Sequence, residues 1–522
     1  MKRLLVLATC LFCFGFAFSQ IKIKNKKYQG LLWEISGNGL KKPSYLFGTM
    51  HISSKIVFNL ADSFYLGIRN ANVVALETNP ESWQEDMSKY DFGNAPYRFD
   101  SRYGNYDRLP NDFLNVHTLE FGKYEKRIEQ ALYSNPSVIN NLLYRTYGDF
   151  SSDFEENTYL DMYIYQVGKK WGKRVAGVEN YGESMKLMME AYRDAARDKN
   201  RKEKSYDAEN GFSADKLQEA YRTGNLDLLD SLNKLQSFSN AFDEKFLYRR
   251  NEIQAGSIDS ILKSGSSLFV GVGAAHLPGT RGVIEILRHK GYTLRPVTME
   301  KKADSHEKDS VEKIHVPVVF NTYNADDGFF KVDIPGKLYG SDEEHGLFDQ
   351  RQYADMANGS YYIVTRLRTN NVMWGHTSDQ VYKKIDSVLY ENIPGKILTK
   401  QTIYKNGYKG LDIVNKTRRG DIQRYNIFVT PFEIIFFKMS GNEDYVKKGP
   451  EAGYFFNSIR LKEYGNGTQW KKYSPAYGGF SVSLPHEAFI SNDGSWLFDA
   501  EDKSDNSHYR IVRSDIHNHH FA

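Results

Sequence analysis

The stretch Tyr45–Ser54, "YLFGTMHISS", reads as an apolar strand that ends at a glycine and then presents a histidine. A second stretch, Leu268–Pro278, "LFVGVGAAHLP", repeats the pattern of strand, glycine, two residues and histidine. In open sheets flanked by helices, ligands bind at the carboxyl ends of the strands. The two Gly-x-x-His corners, Gly48–His51 and Gly273–His276, therefore predict that their histidines meet at one edge of a sheet.

The residues around these corners, from Leu31 to about Val297, alternate between short apolar strands and amphipathic helices, which is typical of helices packed on a sheet. We predict the strands Ser44–Phe47, Val73–Leu76, Arg174–Val178, Leu268–Val272 and Thr293–Val297. We predict the helices Asn59–Arg69, Thr158–Lys170, Gly182–Arg197 and Gly282–Lys290. The predicted fold class of this part is α+β, with a mixed sheet flanked by helices.

Residues 299–313, "MEKKADSHEKDSVEK", are polar, charged and aperiodic, which indicates a linker after a first domain of residues 20–298. Residues 314–465 contain aromatic and β-branched runs separated by turn residues, which favour an antiparallel sheet. Helices are predicted at Ser378–Tyr390 and near Pro450–Arg460. The second domain is therefore predicted to be a β-rich α+β module, and its "YVKKGPEAGYFFNSIRLK" resembles modules of the PsbP-like type.

One sequence pattern occurs twice: "GFFKVDIP" (Gly328–Pro335) is similar to "GGFSVSLP" (Gly478–Pro485), 150 residues further on. Repetition at a fixed offset indicates a repeated module. We therefore predict that residues 466–522 begin a second copy of the β-rich module. Because that copy is cut off at Ala522, we expect the chain to be a fragment of a longer protein.

The amino terminus has the features of a cleavable secretory signal: Lys2 and Arg3, an apolar run Leu4–Phe18, and small residues before a cut after Ser19. We predict a signal peptide of residues 1–19 and a periplasmic or secreted protein. A membrane anchor would need about 18 or more apolar residues, which this run does not provide. A lipoprotein signal at Cys10 is an alternative, although the apolar region before it is very short.

Composition narrows the possible functions. With 522 residues and 40% hydrophobic content, the chain is long enough for two cores and too apolar to be disordered. A net charge of +4 from 69 basic and 65 acidic residues gives no basic face for nucleic acid. Both cysteines, Cys10 and Cys13, lie in the signal, so any metal must be held by His, Glu or Asp. No further run is long and apolar enough to span a bilayer.

Two carboxylates occupy positions like those of the histidines. Glu77 ends "NVVALE" and Glu179 ends "KRVAGVE". A lone acidic residue after a strand is more often a helix cap or a solvated loop residue. Four histidine and glutamate residues at four strand ends, however, favour a metal-binding or catalytic site. His and carboxylate ligands suit zinc, manganese or cobalt, and an open coordination position would let water become a nucleophile. A nearby carboxylate could serve as general base.

Several separated segments resemble the TraB/GumN family, which is related to the Tiki metalloproteases. The segments that carry the resemblance are "LLWEISGNGLKKPSYLFGTMH", "VVALE", "LDMYIYQVGKKWGKRVAGVE", "RRNEIQAGSIDSIL" and "LFVGVGAAHLPGTRGVIEILRHKGYTLRPV". They occur in the family's order and cover about Leu31 to Val297. The resemblance implies a fold shared with the erythromycin-esterase-like and ChaN-like proteins.

The resemblance also implies roles for individual residues. His51 and His276 are the motif pair, Glu77 is the strand-end acid, and Arg250 with Asn251 supports the site. Glu179 matches the family's strand-end Glu less closely, because the Thr that usually follows is here Asn180.

The function expected from these residues is a metal-dependent hydrolase of the peptidase type, acting on a peptide or protein. His51, His276 and Glu77 are the expected ligands of a Mn, Co or Zn ion. Two alternatives stay open. One is a metal-independent, esterase-like hydrolase with histidine as general base. The other is a non-catalytic protein that binds haem, metal or another ligand, as ChaN-like relatives do.

Overall fold

The computed structural model describes most of the chain. The described residues are 27–51, 58, 60–90, 128–129, 131–132, 158–199, 213–299, 306–326, 328–342, 348–368, 378–417, 420–430, 433–441, 443–447, 449–462, 470–474, 479–485, 489–491, 496–502 and 507–513. The signal peptide predicted at residues 1–19 lies outside them, so it stays a prediction. Within the described residues, no helix combines the length and apolar character needed to cross a bilayer.

The first sheet has six strands: β1 (Leu32–Gly37), β2 (Ser44–Thr49), β3 (Val73–Leu76), β4 (Arg174–Gly177), β5 (Leu268–Gly273) and β6 (Tyr292–Pro296). Their order is β4-β3-β5-β2-β1-β6. The four strands β4, β3, β5 and β2 are parallel, whereas β1 is antiparallel to both of its neighbours. The central strands β3 and β5 are buried along their whole length, as parallel strands covered on both faces require. The predicted mixed sheet is confirmed.

The helices of this part cover the sheet. They are α1 (Asp62–Asn70), α2 (Trp83–Tyr90), α3 (Leu160–Lys170), α4 (Tyr181–Arg197), α5 (Ala214–Arg222), α6 (Leu226–Leu235), α7 (Asn240–Asp243), α8 (Arg249–Lys263) and α9 (Val283–His289). A π-helix, Glu244–Tyr248, leads directly into α8. The contact of α3 with β3 is close, because a Cβ added at Gly168 would lie 3.0 Å from the Val74 side chain. Strand β1 and the helices α2, α5, α6, α7 and α8 have no counterpart among the predicted elements.

Beyond the first sheet, the chain forms further sheets with helices between them. The strands are β7 (Asn321–Asn324), β8 (Phe330–Ile334), β9 (Tyr339–Asp342), β10 (Phe348–Asp355), β11 (Ser360–Arg368), β12 (Lys396–Lys405), β13 (Tyr408–Lys416), β14 (Ile422–Val429), β15 (Glu433–Gly441), β16 (Arg460–Leu461), β17 (Trp470–Tyr473), β18 (Val482–Pro485), β19 (Phe489–Ser491), β20 (Trp496–Asp502) and β21 (Ser507–Arg513). The helices are α10 (His306–Glu312), α11 (Ser378–Asn392), α12 (Glu443–Lys447) and α13 (Pro450–Ser458).

A seven-stranded antiparallel sheet, in the order β12-β13-β14-β15-β11-β10-β9, is the centre of this second part. Alternate residues of β15 enter different cores, as the two-residue period of a strand requires. Ile434 and Phe436 pack with α11, whereas Ile435 and Phe437 pack with α13. The β-rich α+β architecture predicted for this part is confirmed.

The predicted linker contains structure of its own. Residues 306–312 form α10, whose Val311 is fully buried in the first core, and Arg69 of α1 pairs with Glu307 at 2.9 Å. A single apolar residue on a seven-residue helix gives no periodicity that the sequence could show. The domain boundaries themselves stay predictions.

The strand order of the predicted repeat recurs. In both copies a hairpin, β7-β8 or β17-β18, is followed by three antiparallel strands, β9-β10-β11 or β19-β20-β21. The shared motif falls on β8 and β18, so the similarity in sequence coincides with equivalent strands. That residues 466–522 begin a second copy of the module stays a prediction.

Candidate functional site

The carboxyl ends of four parallel strands bring the predicted residues together. His51 lies two residues beyond β2, Glu77 directly follows β3, and His276 closes the short turn after β5. The Nε2 atom of His51 is 3.5 Å from Glu77 Oε1, and the Nε2 atom of His276 is 3.6 Å from the same oxygen. The two imidazoles, 225 residues apart in the chain, therefore face one carboxylate oxygen.

Asp161, in the first turn of α3, holds the ring of His51. Its Oδ2 lies 2.8 Å from His51 Nδ1, and its Oδ1 accepts a 2.8 Å hydrogen bond from the Thr49 hydroxyl. A carboxylate can only accept hydrogen bonds, so Nδ1 of His51 must carry the proton. The Asp161 side chain is only 6% exposed, which keeps this contact away from water.

Asn251, on α8, orients the ring of His276 in the same way. Its Nδ2 donates to the carbonyl of Arg281 at 2.8 Å, so its Oδ1 faces His276 Nδ1 at 2.6 Å. This orientation makes Nδ1 of His276 the donor as well. In both histidines, Nε2 is consequently the atom turned towards Glu77.

Three acceptor atoms thus converge on one point. In the neutral tautomers fixed by Asp161 and Asn251, both Nε2 atoms carry lone pairs, and Glu77 Oε1 is negative. Lone pairs at 3.5 and 3.6 Å repel each other unless a cation or a proton lies between them. The arrangement therefore calls for positive charge at the centre of the cluster.

Arg250 and a backbone amide hold Glu77 in this position. Arg250 Nη2 donates to Glu77 Oε2 at 2.8 Å, and the Gly273 N–H donates to Glu77 Oε1 at 2.7 Å. A Cβ added at Gly273 would lie 3.0 Å from Glu77 Oε1 and 3.4 Å from His51 Nε2. Glycine at the end of β5 therefore lets the backbone approach the cluster closely.

Glu179 lies behind Arg250. Its Oε2 accepts from Arg250 Nε at 2.9 Å, and its Oε1 accepts from Gln254 Nε2 at 2.5 Å. The strand ends explain its place, since Glu179 N–H donates to the Glu77 carbonyl and extends the β3-β4 pairing. Gly177 permits this approach, because a Cβ there would be 2.6 Å from the Asn79 nitrogen. Glu179 is only 2% exposed, so it positions Arg250 rather than meeting a ligand.

The profile of the TraB/PrgY/gumN family matches residues 31–296, just over half of the chain. The chain belongs to the TraB/PrgY/gumN family. The resemblance inferred from the separated sequence segments is thereby confirmed, and both Gly-x-x-His corners lie inside the matched region. No curated protein matches the chain.

Three solved structures show distant similarity to this TraB/PrgY/gumN protein. Cyanobacterial PsbP (CyanoP) from Synechocystis sp. PCC 6803 is 11% identical with a TM-score of 0.21, over 28% of this chain and 94% of that one. A Bacteroides thetaiotaomicron VPI-5482 protein is 11% identical with a TM-score of 0.19, over 29% and 50%. A Pseudomonas aeruginosa protein of unknown function is 12% identical with a TM-score of 0.17, over 26% and 90%. TM-scores this low do not establish a shared fold, so the PsbP-like resemblance stays a prediction.

The electrostatics of the TraB/PrgY/gumN site reflect the shared carboxylate. For His51, burial lowers the pKa, but Asp161 and Glu77 outweigh it and raise the pKa to about 10. Burial lowers the pKa of His276 to about 3, against the attraction of Glu77. Burial raises the pKa of Glu77, but His51, His276 and Arg250 bring that pKa well below its usual range. Without a metal, the positive charge of the cluster is therefore a proton on His51.

A cavity of about 510 Å³ opens onto the cluster. The lining of the cavity includes His51, Glu77, Asp161, Arg250 and His276, of which His51 has the most accessible side chain at 37% exposed. This volume is in the range of small-molecule and peptide side-chain sites. The family's two motif histidines are thus reachable from a hollow large enough for a substrate group.

The residues suit a divalent ion by type, because two imidazoles and a carboxylate are common ligands of such ions. Two ligands of one tetrahedral zinc ion, each at about 2.0–2.1 Å, are about 3.3 Å apart. The separations of 3.5 and 3.6 Å around Glu77 Oε1 are close to that value and longer than hydrogen bonds. The described part of the chain has no three His, Cys, Asp or Glu side chains already arranged as ligands. Ligation by His51, Glu77 and His276 would therefore need these side chains to move into ligand positions.

The structure brings all six sequence-predicted site residues into one network, and it adds two that the sequence did not indicate. Asp161 orients His51, and Gln254 supports Glu179. The sequence did contain one indication that Asp161 has a special role, because it is an acidic residue within the apolar stretch "YLDMYIYQV" at the start of a helix. Gln254 had no such signal, since a polar residue on a helix is ordinary.

Proposed function

We propose that this protein is a secreted or periplasmic metal-dependent hydrolase that cleaves peptide bonds. The observation that carries the proposal is the convergence of His51 Nε2, His276 Nε2 and Glu77 Oε1, three acceptors that need a cation between them. Membership in the TraB/PrgY/gumN family, related to the Tiki metalloproteases, agrees with this chemistry.

Each residue has a distinct part in the proposed site. His51, His276 and Glu77 would hold Mn²⁺, Co²⁺ or Zn²⁺, and the ion would supply a Lewis acid that activates water near neutral pH. Asp161 and Asn251 fix the imidazole rings through their Nδ1 atoms, as acceptors behind metal-bound histidines do.

Arg250 holds the Glu77 carboxylate, so that Oε1 stays turned towards both rings. Burial of Arg250 lowers its pKa, but Glu77 and Glu179 raise it above its usual value. The guanidinium therefore stays charged and keeps Glu77 ionised at the pH of a hydrolytic reaction.

A second candidate uses the same residues without a metal. A proton on His51 Nε2 also satisfies the convergence, because it can be donated to Glu77 Oε1. In that case His276, buried and neutral, would serve as the general base of an esterase-like hydrolase. Metal dependence separates the two candidates.

The test is peptide cleavage by protein purified without a histidine tag, measured before and after chelation and after addition of Mn²⁺, Co²⁺ or Zn²⁺, together with elemental analysis. We expect bound metal near one equivalent, and activity that chelation removes and metal restores. His51→Ala and His276→Ala should each lower activity by at least about 100-fold.

The matched control is His289→Ala, which removes an exposed histidine from α9 and should leave both metal content and activity unchanged. Activity that survives complete metal removal would overturn the first candidate in favour of the second. Peptide cleavage at the wild-type rate in the His51→Ala, His276→Ala double variant would overturn both.

A further inference from the structure

The wall of the cavity outside the cluster differs in character from the cluster itself. Met185 and Met188 of α4, Leu217 of α5, and Phe246 and Leu247 of the π-helix all line it. Every charged residue recorded in the lining belongs to the His51, Glu77, Asp161, Arg250 and His276 cluster. In the described part of the chain, the wall away from the cluster is therefore apolar or neutral.

A charged substrate group placed against this wall would lose its water without gaining an opposite charge. Burial of an unpaired charge is strongly unfavourable, whereas burial of an apolar group is favourable in proportion to its area. The wall thus favours apolar groups over charged ones.

The wall is also adaptable. Met185 and Met188 are half-buried, so their side chains are not locked in the core. Methionine has three rotatable bonds and a polarizable sulfur, so it accommodates apolar groups of different shapes. A wall with two methionines and a phenylalanine accepts large aliphatic and aromatic side chains without selecting one shape.

Amide side chains lie beside the apolar wall. Asn233 of α6 and Gln236 just after it line the same cavity and are half-buried. Neither makes a side-chain hydrogen bond to the described residues. Primary amides both donate and accept, which suits the N–H and C=O groups of a peptide main chain.

We infer that the cavity is a specificity pocket for a large uncharged apolar side chain next to the scissile bond of a peptide. This inference rests on the proposed hydrolase function for the reaction, and on the cavity wall for the preference. Substrates with Phe, Leu or Met beside the cleaved bond should be preferred to the same peptides with Gly, Lys or Asp.

The test compares peptides of one sequence that differ only at the residue before or after the cleaved bond. For the wild-type chain we expect kcat/KM to be at least 10-fold higher with Phe, Leu or Met than with Lys or Asp. Met188→Lys places a cation in the wall that attracts an Asp side chain, so it should reduce the ratio of apolar to Asp peptides at least 10-fold. Met189→Lys, on the next residue of α4 but 58% exposed and outside the lining, should keep the wild-type ratio.

Binding of the same peptides to each variant, measured by calorimetry, separates the two proposals. Cleavage with no preference for apolar residues, or an unchanged ratio in Met188→Lys, would overturn the pocket and leave the hydrolase. Preferential binding of apolar peptides that is lost in Met188→Lys, without cleavage, would support the pocket and overturn the hydrolase. If the protein neither binds apolar peptides preferentially nor cleaves any peptide, the pocket and the hydrolase function are both overturned.

Discussion

A single carboxylate, Asp161, decides which nitrogen of His51 faces the site. Because Asp161 can only accept, it fixes the proton on Nδ1 and leaves Nε2 for Glu77 or a metal. The hydrogen bond from Thr49 holds the carboxylate itself. Asp161 also lies in the first turn of α3, where a negative charge is favoured by the helix dipole.

Asp161→Asn tests this role. The amide has the same shape, but it can donate to Nδ1 and so favour the wrong tautomer of His51. We expect metal affinity to fall by about 10- to 100-fold, which is typical when the partner of a ligating histidine is altered. Competition of the protein with a chelating dye for Zn²⁺ measures the dissociation constant.

Asp215→Asn is the matched control, because Asp215 also lies in the first turn of a helix, α5, but is exposed. It should leave the affinity unchanged. Equal affinities for the Asp161→Asn variant and the wild-type protein would contradict the assigned role of Asp161.

A second residue-scale prediction concerns Lys438 of β15, which is only 1% exposed. Its ammonium lies 5.0 Å from the Tyr425 ring centroid and 5.8 Å from that of Tyr361. Burial lowers the pKa of Lys438 from 10.5 to about 7. The folded protein therefore binds this proton less tightly than the unfolded chain does.

The contribution of Lys438 to the free energy of unfolding depends on pH. Between pH 7 and 10.5 the unfolded chain holds more protons at Lys438, so its contribution to the free energy of unfolding rises with pH. Lys438→Met removes the cost of burying the charge. It should stabilise the protein by on the order of 2 kcal/mol below pH 7, and the gain should shrink towards pH 10.

Thermal unfolding across pH 6 to 10 measures the difference. Lys331→Met, at an exposed position of strand β8, is the control and should show no such trend. A gain that grows with pH would contradict the prediction.

At the scale of elements, the end of β5 determines how close the backbone comes to the cluster of His51, Glu77 and His276. The N–H of Gly273 donates to Glu77, and the absent Cβ leaves room for that carboxylate and both imidazoles. Strand β5 therefore contributes a backbone hydrogen-bond donor, and glycine at its end leaves free the space that a Cβ would fill.

Gly273→Ala should disturb the site more than the fold. The new Cβ would lie 3.0 Å from Glu77 Oε1, so the carboxylate must shift, and we expect activity to fall by at least about 10-fold. Circular dichroism should show native secondary structure. Gly256→Ala, within α8 and with no atom within 4 Å of the added Cβ, should keep full activity and is the control. Wild-type turnover in Gly273→Ala would show that the approach of β5 is not needed.

At the scale of the whole molecule, the second part of the chain packs directly on helices that carry the site. Gln84 of α2 makes two hydrogen bonds to the backbone of Ala354, at 2.9 and 2.7 Å. Gln166 of α3 donates to the Met356 carbonyl at 2.9 Å. Ala354 and Met356 are buried in the same core as β3 and β5, so the first core extends across both parts.

Gln84→Ala tests this attachment. It leaves the Ala354 N–H and C=O without their partner, which should cost about 1–3 kcal/mol and lower the midpoint of thermal unfolding by a few degrees. Gln218→Ala, on α5 with no side-chain hydrogen bond to the described residues, is the control and should change the midpoint little. An unchanged midpoint in Gln84→Ala would show that these bonds do not stabilise the attachment.

The sequence alone determined five of the six strands of the first sheet, the two Gly-x-x-His corners and the family, because these depend on local patterns. A buried parallel strand is a continuous apolar run, as in Val73–Leu76, and a strand end followed by histidine is visible without knowledge of its neighbours. The sheet places parallel strand ends at one edge, so the meeting of His51, Glu77 and His276 followed from the pattern.

Only the tertiary structure decided how those residues are oriented. Asp161 contacts His51 across 110 residues of sequence, and Arg250 joins Glu77 to Glu179 from a helix whose position the sequence did not indicate. Helix α10 within the predicted linker was likewise visible only through its packing. Such contacts join side chains far apart in the chain at 2.8–2.9 Å, and residue type and spacing do not show which side chains will meet.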